Sequence, residues 1–402
     1  MMAGPTAEEM PAQCEPVRGR RVAKWLSVGE TTTVHLSDGP RFKDELVTPM
    51  RNSKDLLVAS KPYAQEIRWL SWWHLASTLC VLGALLTVVC LDVSWGVRLL
   101  SSVALGLVVA RLFVIYHDYQ HGAILSGSPI ASVIMYVYGI LAINPPSIWN
   151  RSHDHHHRNN SKFFGARIGS YPLMTTEAYA RATARERVYY AASRHPLIMA
   201  LGYLTIFLYG MCLCPLVASP KRHLDSALAL AVHFGLVAWL AVVAPDVLLL
   251  ALILPLSIAS ALGAYLFYAQ HNFPGVKFGV GDEWNYVFAA LHSSSYIKMG
   301  RVMHWFTGNI GYHHVHHLNA RIPFYRLPEA MAQLAEMRSP VTTSLRPRDV
   351  VGCLRLKLWD TERGRLVSFR EAASNTPTTA SDDQGVSTPL RREPAPISRA
   401  AA

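Results

Sequence analysis

The chain has 402 residues, of which 51% are hydrophobic and only 16% are charged, and its formal net charge is +11. Such an apolar composition excludes an ordinary soluble domain of this size and indicates an integral membrane protein. The basic excess lies outside the apolar runs without a nucleic-acid motif, so we expect no nucleic-acid partner and instead expect contacts with membrane lipids and an acidic protein.

The first elements predicted along the chain are a polar N-terminal segment and a pair of membrane spans. Residues 1–65 form a cytosolic segment that we expect to be partly disordered. Two apolar runs, at about 72–92 and 98–116, are long enough to cross a bilayer. The next run, 130–143, is shorter than a span and is predicted to lie in the interface or to pack on the protein.

Three apolar runs follow, at 197–218, 224–244 and 247–268. Arginine and lysine residues flank the first run on both sides, whereas none occurs between residues 223 and 276. By the positive-inside rule, both ends of 197–218 face the cytosol, and we interpret this run as re-entrant or interfacial. The other two runs then form a second hairpin, with Pro245 and Asp246 at its outer turn.

The predicted fold is therefore an all-α integral membrane protein with four transmembrane helices in two hairpins. We expect a cytosolic helical cap to hold a histidine-rich metal site, and we assign residues 66–345 to one membrane domain. Residues 346–402 are predicted to form a largely disordered C-terminal tail, because the sequence becomes rich in Ser, Thr, Pro and Ala from about residue 374.

Three histidine clusters lie beside these apolar runs. In the first cluster two histidines are four residues apart, and in each of the other two clusters two histidines follow the first by three and four residues. Residues at these spacings share one face of a helix, so their imidazoles can converge on a metal ion. A further histidine, His271, closes the fourth span, and His155 and His314 are expected to point elsewhere. The candidate ligands are His117, His121, His153, His156, His157, His271, His313, His316 and His317.

Nine imidazoles without a nearby cysteine cluster favour a dinuclear redox site over a structural zinc site, which needs only four closed ligands. Imidazole also binds zinc, copper and nickel, so spacing alone does not identify the metal. Asp118 could orient His117 as a hydrogen-bond partner or could simply be solvated. A metal transporter is disfavoured, because the four spans hold no carboxylate pair. Apart from charged residues in the first or last two positions of a span, their only charged or imidazole side chains are those of His74, His233 and Arg111.

These residues resemble the membrane-bound fatty acid desaturase family. The three boxes are His117-Asp-Tyr-Gln-His121, His153-Asp-His-His156-His157 and His313-His-Val-His316-His317. The stretch from Thr307 to Leu318 is similar to the omega-6 or delta-12-like acyl-lipid branch, and His271 resembles that branch's additional histidine. The resemblance covers roughly residues 65–335.

The resemblance implies a multi-pass enzyme that introduces a C=C bond into an acyl chain. It implies two non-haem iron ions bound by the nine histidines, O2 as co-substrate, two electrons for each double bond, and an active site on the cytosolic face. No catalytic residue beyond the metal centre is implied. Asn309, one turn before His313, could contact a metal-bound water or only pack the helix.

Two departures from the family pattern affect the substrate and the electron donor. The first box holds Tyr119 and Gln120 where many relatives have Cys-Gly, which leaves the position of the double bond open. We find no His-Pro-Gly-Gly haem motif and therefore expect a separate donor, with a ferredoxin preferred to cytochrome b5. We expect the acyl carrier to be a lipid or a thioester.

An acyl tunnel near the boxes would be lined by aromatic and small polar residues, although ordinary core packing explains such residues equally well. The candidates are Trp149, Trp284, Ser294, Tyr296 and Trp305. The main alternative function is a hydroxylase or ketolase acting on a lipid, carotenoid or alkane, since that chemistry uses the same boxes. A new C=C bond, as opposed to an added oxygen, distinguishes the two.

Overall fold

The computed structural model describes residues 51–162, 171–279 and 284–374. By its contacts the chain divides into two units, Met1–Val47 and Thr48–Ala402, and every described residue belongs to the second. Most of the predicted N-terminal segment and the end of the predicted tail lie outside the described residues.

The described part is mainly helical. In chain order its α-helices are α1 (Ser53–Ser60), α2 (Arg68–Cys90), α3 (Trp95–Gln120), α4 (Pro129–Leu141), α5 (Pro146–Arg158), α6 (Thr176–Arg181), α7 (Ala184–Ser193), α8 (Pro196–Ala200), α9 (Cys214–Ala218), α10 (Leu224–Val243), α11 (Pro245–Val247), α12 (Leu254–His271), α13 (Tyr286–His292), α14 (Arg301–Phe306), α15 (His313–Leu318), α16 (Leu327–Gln333), α17 (Pro347–Arg355) and α18 (Phe369–Ser374). Two π-helical segments, Tyr203–Leu213 and Leu248–Ile253, continue into α9 and α12.

Four helical runs are long and apolar enough to cross a membrane: α2, α3, α10 and the continuous run Pro245–His271. At 1.5 Å per residue even the shortest, with 20 residues, spans about 30 Å, the thickness of a bilayer's hydrocarbon core. Their outward surfaces are apolar, as Leu100 (72% exposed) and Val242 (86% exposed) illustrate. The prediction of an all-α membrane fold is therefore confirmed.

The turns of the two hairpins meet at the end of the molecule away from the histidines. Nη2 of Arg98, at the start of α3, lies 2.5 Å from Oδ2 of Asp246 in α11, directly after the end of α10. Farther along, α3 packs closely on α12, because a Cβ atom at Gly106 would lie only 2.8 Å from Cβ of Ile258. The two hairpins are therefore held together both at their turns and along their length.

The predicted run 197–218 is built from short pieces. Helix α8 leads into the π-helical segment Tyr203–Leu213 and then α9, and the apolar helix Tyr203–Ala218 is shorter than a span. The Tyr203 hydroxyl lies 2.6 Å from Nε2 of His233, which fastens this segment to α10. Helices α4 and α5 meet at 93°, so α4 leads from the apolar part directly to a histidine helix.

The first part of the tail predicted from residue 346 has regular structure. Residues 346–374, predicted as part of a largely disordered tail, include α17, α18 and an antiparallel pair of strands, β3 (Leu358–Asp360) and β4 (Arg365–Val367). Cys353 and Val367 are completely buried.

The earlier strands β1 (Tyr296–Lys298) and β2 (Thr342–Ser344) pair in parallel, with Tyr296 opposite Thr342.

The described part of the N-terminal segment packs at the end of the molecule where the spanning helices carry histidines. Leu56 in α1 is buried, and Nη2 of Arg51 lies 2.8 Å from Oε2 of Glu336. The largest core cluster joins residues of α3, α5 and α12 to this region, including Tyr116, Trp149 and Ala269. The main core of the described chain therefore surrounds the ends of the spanning helices that carry histidines.

Candidate metal centre

Four elements bring the candidate histidines together. Helix α3 continues past its apolar stretch to carry His117, and His121 caps its end. Helices α5 and α15 contribute the two His-x-x-His-His sequences, and His271 is the last residue of α12. All nine predicted histidines lie in two neighbouring groups, whereas His155 and His314 belong to neither.

The first histidine group contains ligands from α3, α5 and α15. Its nitrogen atoms all lie within 4.8 Å of one another. Nε2 of His153 lies 2.9 Å from Nε2 of His117 and 3.0 Å from Nε2 of His157. Its members are His117, His121, His153, His157 and His316.

The second histidine group forms a closed ring of Nε2 atoms. Going round the ring, the distances are 3.1 Å from His156 to His271, 3.0 Å to His313, 3.0 Å to His317 and 3.2 Å back to His156. Hydrogen bonds satisfy such a ring poorly, because each neutral imidazole Nε2 either donates or accepts but cannot do both.

A metal ion explains this ring better. The centre of a square with such edges lies about 2.2 Å from each corner, close to the usual length of a metal–imidazole bond. The donor set therefore fits one ion in each histidine group, and its purely imidazole character suits iron as well as other transition metals.

The helical spacing explains how two short helices serve both groups. On α5, His153 and His157 face the first histidine group, while His156 faces the second. On α15 the assignment is reversed, since His313 and His317 face the second group and His316 faces the first. Each His-x-x-His-His sequence thus divides its residues between the two groups.

The other ring nitrogens of several histidines have polar partners. Nδ1 of His117 lies 2.9 Å from Oδ1 of Asp118, and Nδ1 of His271 lies 3.1 Å from the carbonyl oxygen of Ser293. The amide nitrogen of Asn160 lies 3.3 Å from Nδ1 of His317. The two oxygen acceptors, at Asp118 and Ser293, suit a protonated Nδ1, so they orient His117 and His271 and leave the Nε2 lone pair facing the metal position.

Burial keeps the histidines of α15 neutral. Desolvation lowers the pKa of His313, His316 and His317 well below the usual value, with a smaller contribution from repulsion by neighbouring imidazoles. The pKa of His121 falls to about 4 for the same main reason. Their lone pairs are therefore available to a metal at neutral pH.

The start of α5 is held by a polar contact with α10. Oδ2 of Asp225 accepts a hydrogen bond from the backbone N–H of Ser147 (2.8 Å), and Oδ1 accepts one from its hydroxyl (2.6 Å). The same hydroxyl lies 2.7 Å from Nδ1 of His223. A carboxylate at a helix N-terminus stabilises the unpaired N–H groups there, so this contact sets the position of the α5 histidines.

The predicted tunnel residues have four different surroundings. Trp149 is buried and stacks on His153, with 4.3 Å between the ring centroids. Trp284 and Ser294 contact Asn160 instead: the Trp284 indole donates to its carbonyl oxygen (2.9 Å), and Ser294 Oγ accepts from its amide (3.0 Å). Tyr296 packs against Tyr312, and Trp305 covers Arg111.

Asn309 lies beside the site and not in either histidine group. Gly308 and Asn309 form a turn in which both φ angles are positive, 49° at Gly308 and 55° at Asn309. A Cβ atom at Gly308 would lie 2.8 Å from Cγ1 of Val114, so this turn packs tightly on α3. The Asn309 amide donates to the carbonyl oxygen of Phe324 (3.1 Å), whose backbone N–H donates to Oδ2 of Asp118 (2.6 Å).

Sequence reasoning missed Asn160 and the Ser147–Asp225 contact. Asn160 follows His157 by three residues, and that proximity to a histidine box was the available signal. Its partner Ser294 is 134 residues away, however, so no local pattern predicts the contact.

Comparison with known proteins agrees with this geometry. The model of the fatty acid desaturase family matches residues 93–346. A fatty acid desaturase of Bacillus subtilis (strain 168) is 30% identical over 313 residues, which cover 75% of this chain and 86% of that protein. A probable fatty acid desaturase of Sorghum bicolor, DES1, is 26% identical over 286 residues, or 65% and 69% of the two chains. The chain therefore belongs to the fatty acid desaturase family and is an oxidoreductase with a lipid or acyl substrate.

Proposed function

We propose that the chain introduces a C=C bond into a fatty acyl chain, using O2, two electrons and two iron ions. The observation that carries this proposal is the pair of adjacent histidine groups, with five and four imidazoles, at the ends of spanning helices. In the balanced reaction, two hydrogen atoms leave the acyl chain. O2 is reduced to two waters by these hydrogens together with two electrons and two protons from outside.

In this proposal iron supplies the oxidising chemistry that acts on an unactivated C–H bond, and family membership supports iron as the metal. The nine histidines would hold the two ions, five in the first histidine group and four in the second. Asp118 is a positioning residue that accepts a hydrogen bond from Nδ1 of His117. Asn160 lies beside Nδ1 of His317 and is held by Ser294 and Trp284.

An apolar acyl chain has to reach the histidines while bulk water is kept out. Trp149 is suited to this role, because it is buried and its indole stacks directly on His153. We therefore retain Trp149 as a substrate-contacting residue. For Trp284 and Ser294 the contacts with Asn160 favour a role in positioning instead.

We also propose that the histidine-bearing end faces the cytosol and receives electrons from a separate acidic protein, with a ferredoxin preferred. A surface depression of about 410 Å³ supports this proposal. His121 of the first histidine group lines it, and so do Lys61 and Arg321. An acidic donor that docks on these two cations would come close to the metal centre.

Double-bond mapping by mass spectrometry tests the proposed reaction. Total fatty acids are compared between cells that express the full chain and cells that express His313→Ala, both supplied with a ferredoxin system. We expect a new unsaturated acyl product from the full chain and none from His313→Ala. His155→Ala is the matched control, because His155 lies on α5 outside both groups, and it should form the product.

A hydroxylated or keto product would contradict the desaturase proposal and identify the chain as an oxygenase of lipids. Absence of any new acyl product, with iron still bound and the donor active, would overturn the acyl desaturase proposal for the lipids of that host.

A further inference from the structure

A second polar cavity is lined by residues of α2, α3 and α14 and by none of the nine candidate metal ligands. Its volume is about 340 Å³, enough for a small polar ligand. We name it the Arg111 cavity. Its polar lining comes mainly from His74, Arg111, Arg301, His304, Asn309 and Tyr312.

Arg111 is a buried cation within a spanning helix. It is only 2% exposed, and its guanidinium donates to Thr78 Oγ1 (3.0 Å), to His74 Nδ1 (3.1 Å) and to the carbonyl oxygen of Trp305. These acceptors use three of the five N–H donors of the guanidinium. All three acceptors are neutral groups, which leaves the positive charge without a compensating anion.

The cavity holds further groups that suit an anion. Arg301 brings a second guanidinium to its rim, and Nδ1 of His304 is buried without a hydrogen-bond partner in the described part of the chain. Within the described ranges, neither arginine lies within 4 Å of a carboxylate oxygen. The cavity therefore has excess positive charge and an unpaired polar atom.

Its depth in the membrane follows from the tryptophans around it. The contact between His74 and Arg111 places both at one level of the α2–α3 pair. Trp73, next to His74, is 62% exposed, Trp69 one turn earlier is 70% exposed, and Trp305 is 38% exposed. Exposed tryptophans mark the boundary between hydrocarbon and water, so the cavity lies at the level of lipid headgroups.

We propose that the Arg111 cavity binds the phosphate group of a phospholipid that carries the acyl chain to the histidine groups. A phosphodiester keeps its negative charge at neutral pH and accepts hydrogen bonds from two arginines at once. The identification of this lipid as the substrate depends on the proposed desaturase function, whereas the binding site itself does not.

A chain of hydrogen bonds connects this cavity to the metal centre. Asn309 lines the cavity and donates to the carbonyl oxygen of Phe324. The backbone N–H of Phe324 donates to Asp118, which orients His117. The lining of the Arg111 cavity is thus connected to the first histidine group through Asn309, Phe324 and Asp118.

Native mass spectrometry of the full-length protein in detergent micelles tests the proposal, with dioleoylphosphatidylglycerol as probe and dioleoylglycerol as the phosphate-free comparison. We expect the phospholipid to be retained and the diacylglycerol to be lost. Arg301→Gln should weaken phospholipid binding about ten-fold, as expected for loss of one charge-assisted contact. Arg301 is exposed, so this variant should fold, whereas Arg111→Gln is a stronger but riskier variant.

Arg68→Gln is the matched control, because it removes the same charge from the exposed start of α2 and should bind like the unaltered chain. Equal retention by Arg301→Gln and the unaltered chain would overturn the proposal, and so would retention of dioleoylglycerol. Displacement of the lipid by an equal concentration of inorganic phosphate would show a free-phosphate site and overturn the lipid assignment. Phospholipid binding by a chain that forms no double bond would contradict the proposed reaction and leave the cavity assignment intact.

Discussion

Asp118 uses both oxygens of its carboxylate beside the first histidine group. One oxygen faces Nδ1 of His117, and the other accepts the backbone N–H of Phe324. In Asp118→Asn, one of these two N–H donors would face the amide NH2 group, which is itself a donor, instead of a carboxylate oxygen. We expect iron affinity to fall about 10- to 100-fold, as found when such a partner of a metal-bound histidine is removed. Iron retention during titration with a chelator measures this loss.

Asp154→Asn is the control for this variant. Asp154 follows His153, but its side chain is 52% exposed and pairs only loosely with Arg158, at 3.6 Å. This control should keep its iron like the unaltered chain. If Asp118→Asn retains iron equally well, Asp118 does not position His117.

At this scale the sequence predicted which histidines come together but not how they divide. The i, i+3, i+4 spacing on α5 and α15 indicated a shared face. The separation of His156 from His153 and His157 depends on where α12 and α15 place His271, His313 and His317. That placement is tertiary, so spacing within one helix could not predict it.

At the scale of elements, the contact between Asp225 and the start of α5 determines where three candidate ligands lie. In Asp225→Asn, the amide nitrogen faces one of the two Ser147 donors, and the negative charge at the helix N-terminus is lost. We expect a loss of about 2 kcal/mol in stability, the range of hydrogen bonds to charged groups. Thermal unfolding in detergent should therefore begin at a lower temperature, with earlier release of iron.

Asp246→Asn provides the comparison, because Asp246 also begins a helix and pairs with an arginine, but in an exposed position. Exposed ion pairs contribute little, so its unfolding should resemble that of the unaltered chain. If the two variants unfold alike, the Asp225 contact does not determine the position of α5.

The contact of α3 with α12 offers a second test of element packing. A methyl group in Gly106→Ala would overlap Ile258 and lie 3.0 Å from the carbonyl oxygen of Pro255. Overpacking of this kind typically costs about 1–3 kcal/mol, so thermal unfolding should show a lower midpoint. Gly83→Ala in α2 meets no atom within 4 Å and should be neutral or mildly stabilising. Unchanged stability of Gly106→Ala would show that the two helices are not so closely packed.

The spanning helices could be predicted because an apolar run of about 20 residues in a bilayer satisfies its backbone hydrogen bonds by forming a helix. The helix that carries the first box begins at Trp95 and ends at Gln120, beyond both limits of the predicted run 98–116, because its polar last turn packs in the core around the histidines. The short elements after residue 346 could not be predicted in this way. Their buried residues, such as Cys353 and Trp359, are separated by polar ones and are stabilised by distant partners.

At the scale of the whole molecule, residues 346–374 support the end of α12. The amide of Asn272, next to His271, donates to the carbonyl oxygens of Cys353 (2.9 Å) and Leu356 (3.1 Å). A chain that ends at residue 345 should therefore lose these supports and bind less iron, or aggregate. A chain that ends at residue 374 should keep its iron and its thermal stability. Equal iron content in the two truncated chains would contradict this role.

The arrangement of the whole molecule follows from a small number of constraints. Two hairpins with joined turns place four helix ends on one side, and α3 and α12 carry histidines there. Counting of spans and basic flanks predicted this common side from the sequence. The exact geometry of the two histidine groups needed the short helices α5 and α15, which apolar runs do not reveal.

The proposed di-iron centre is tested most directly by the ratio of iron to protein in the purified, catalytically active chain. Two histidine groups predict two iron ions per chain, and His271→Ala, which opens the ring of the second group, should lower the ratio and abolish desaturation. An active chain with only one iron ion, or a His271→Ala variant with two iron ions and full activity, would contradict the proposed centre.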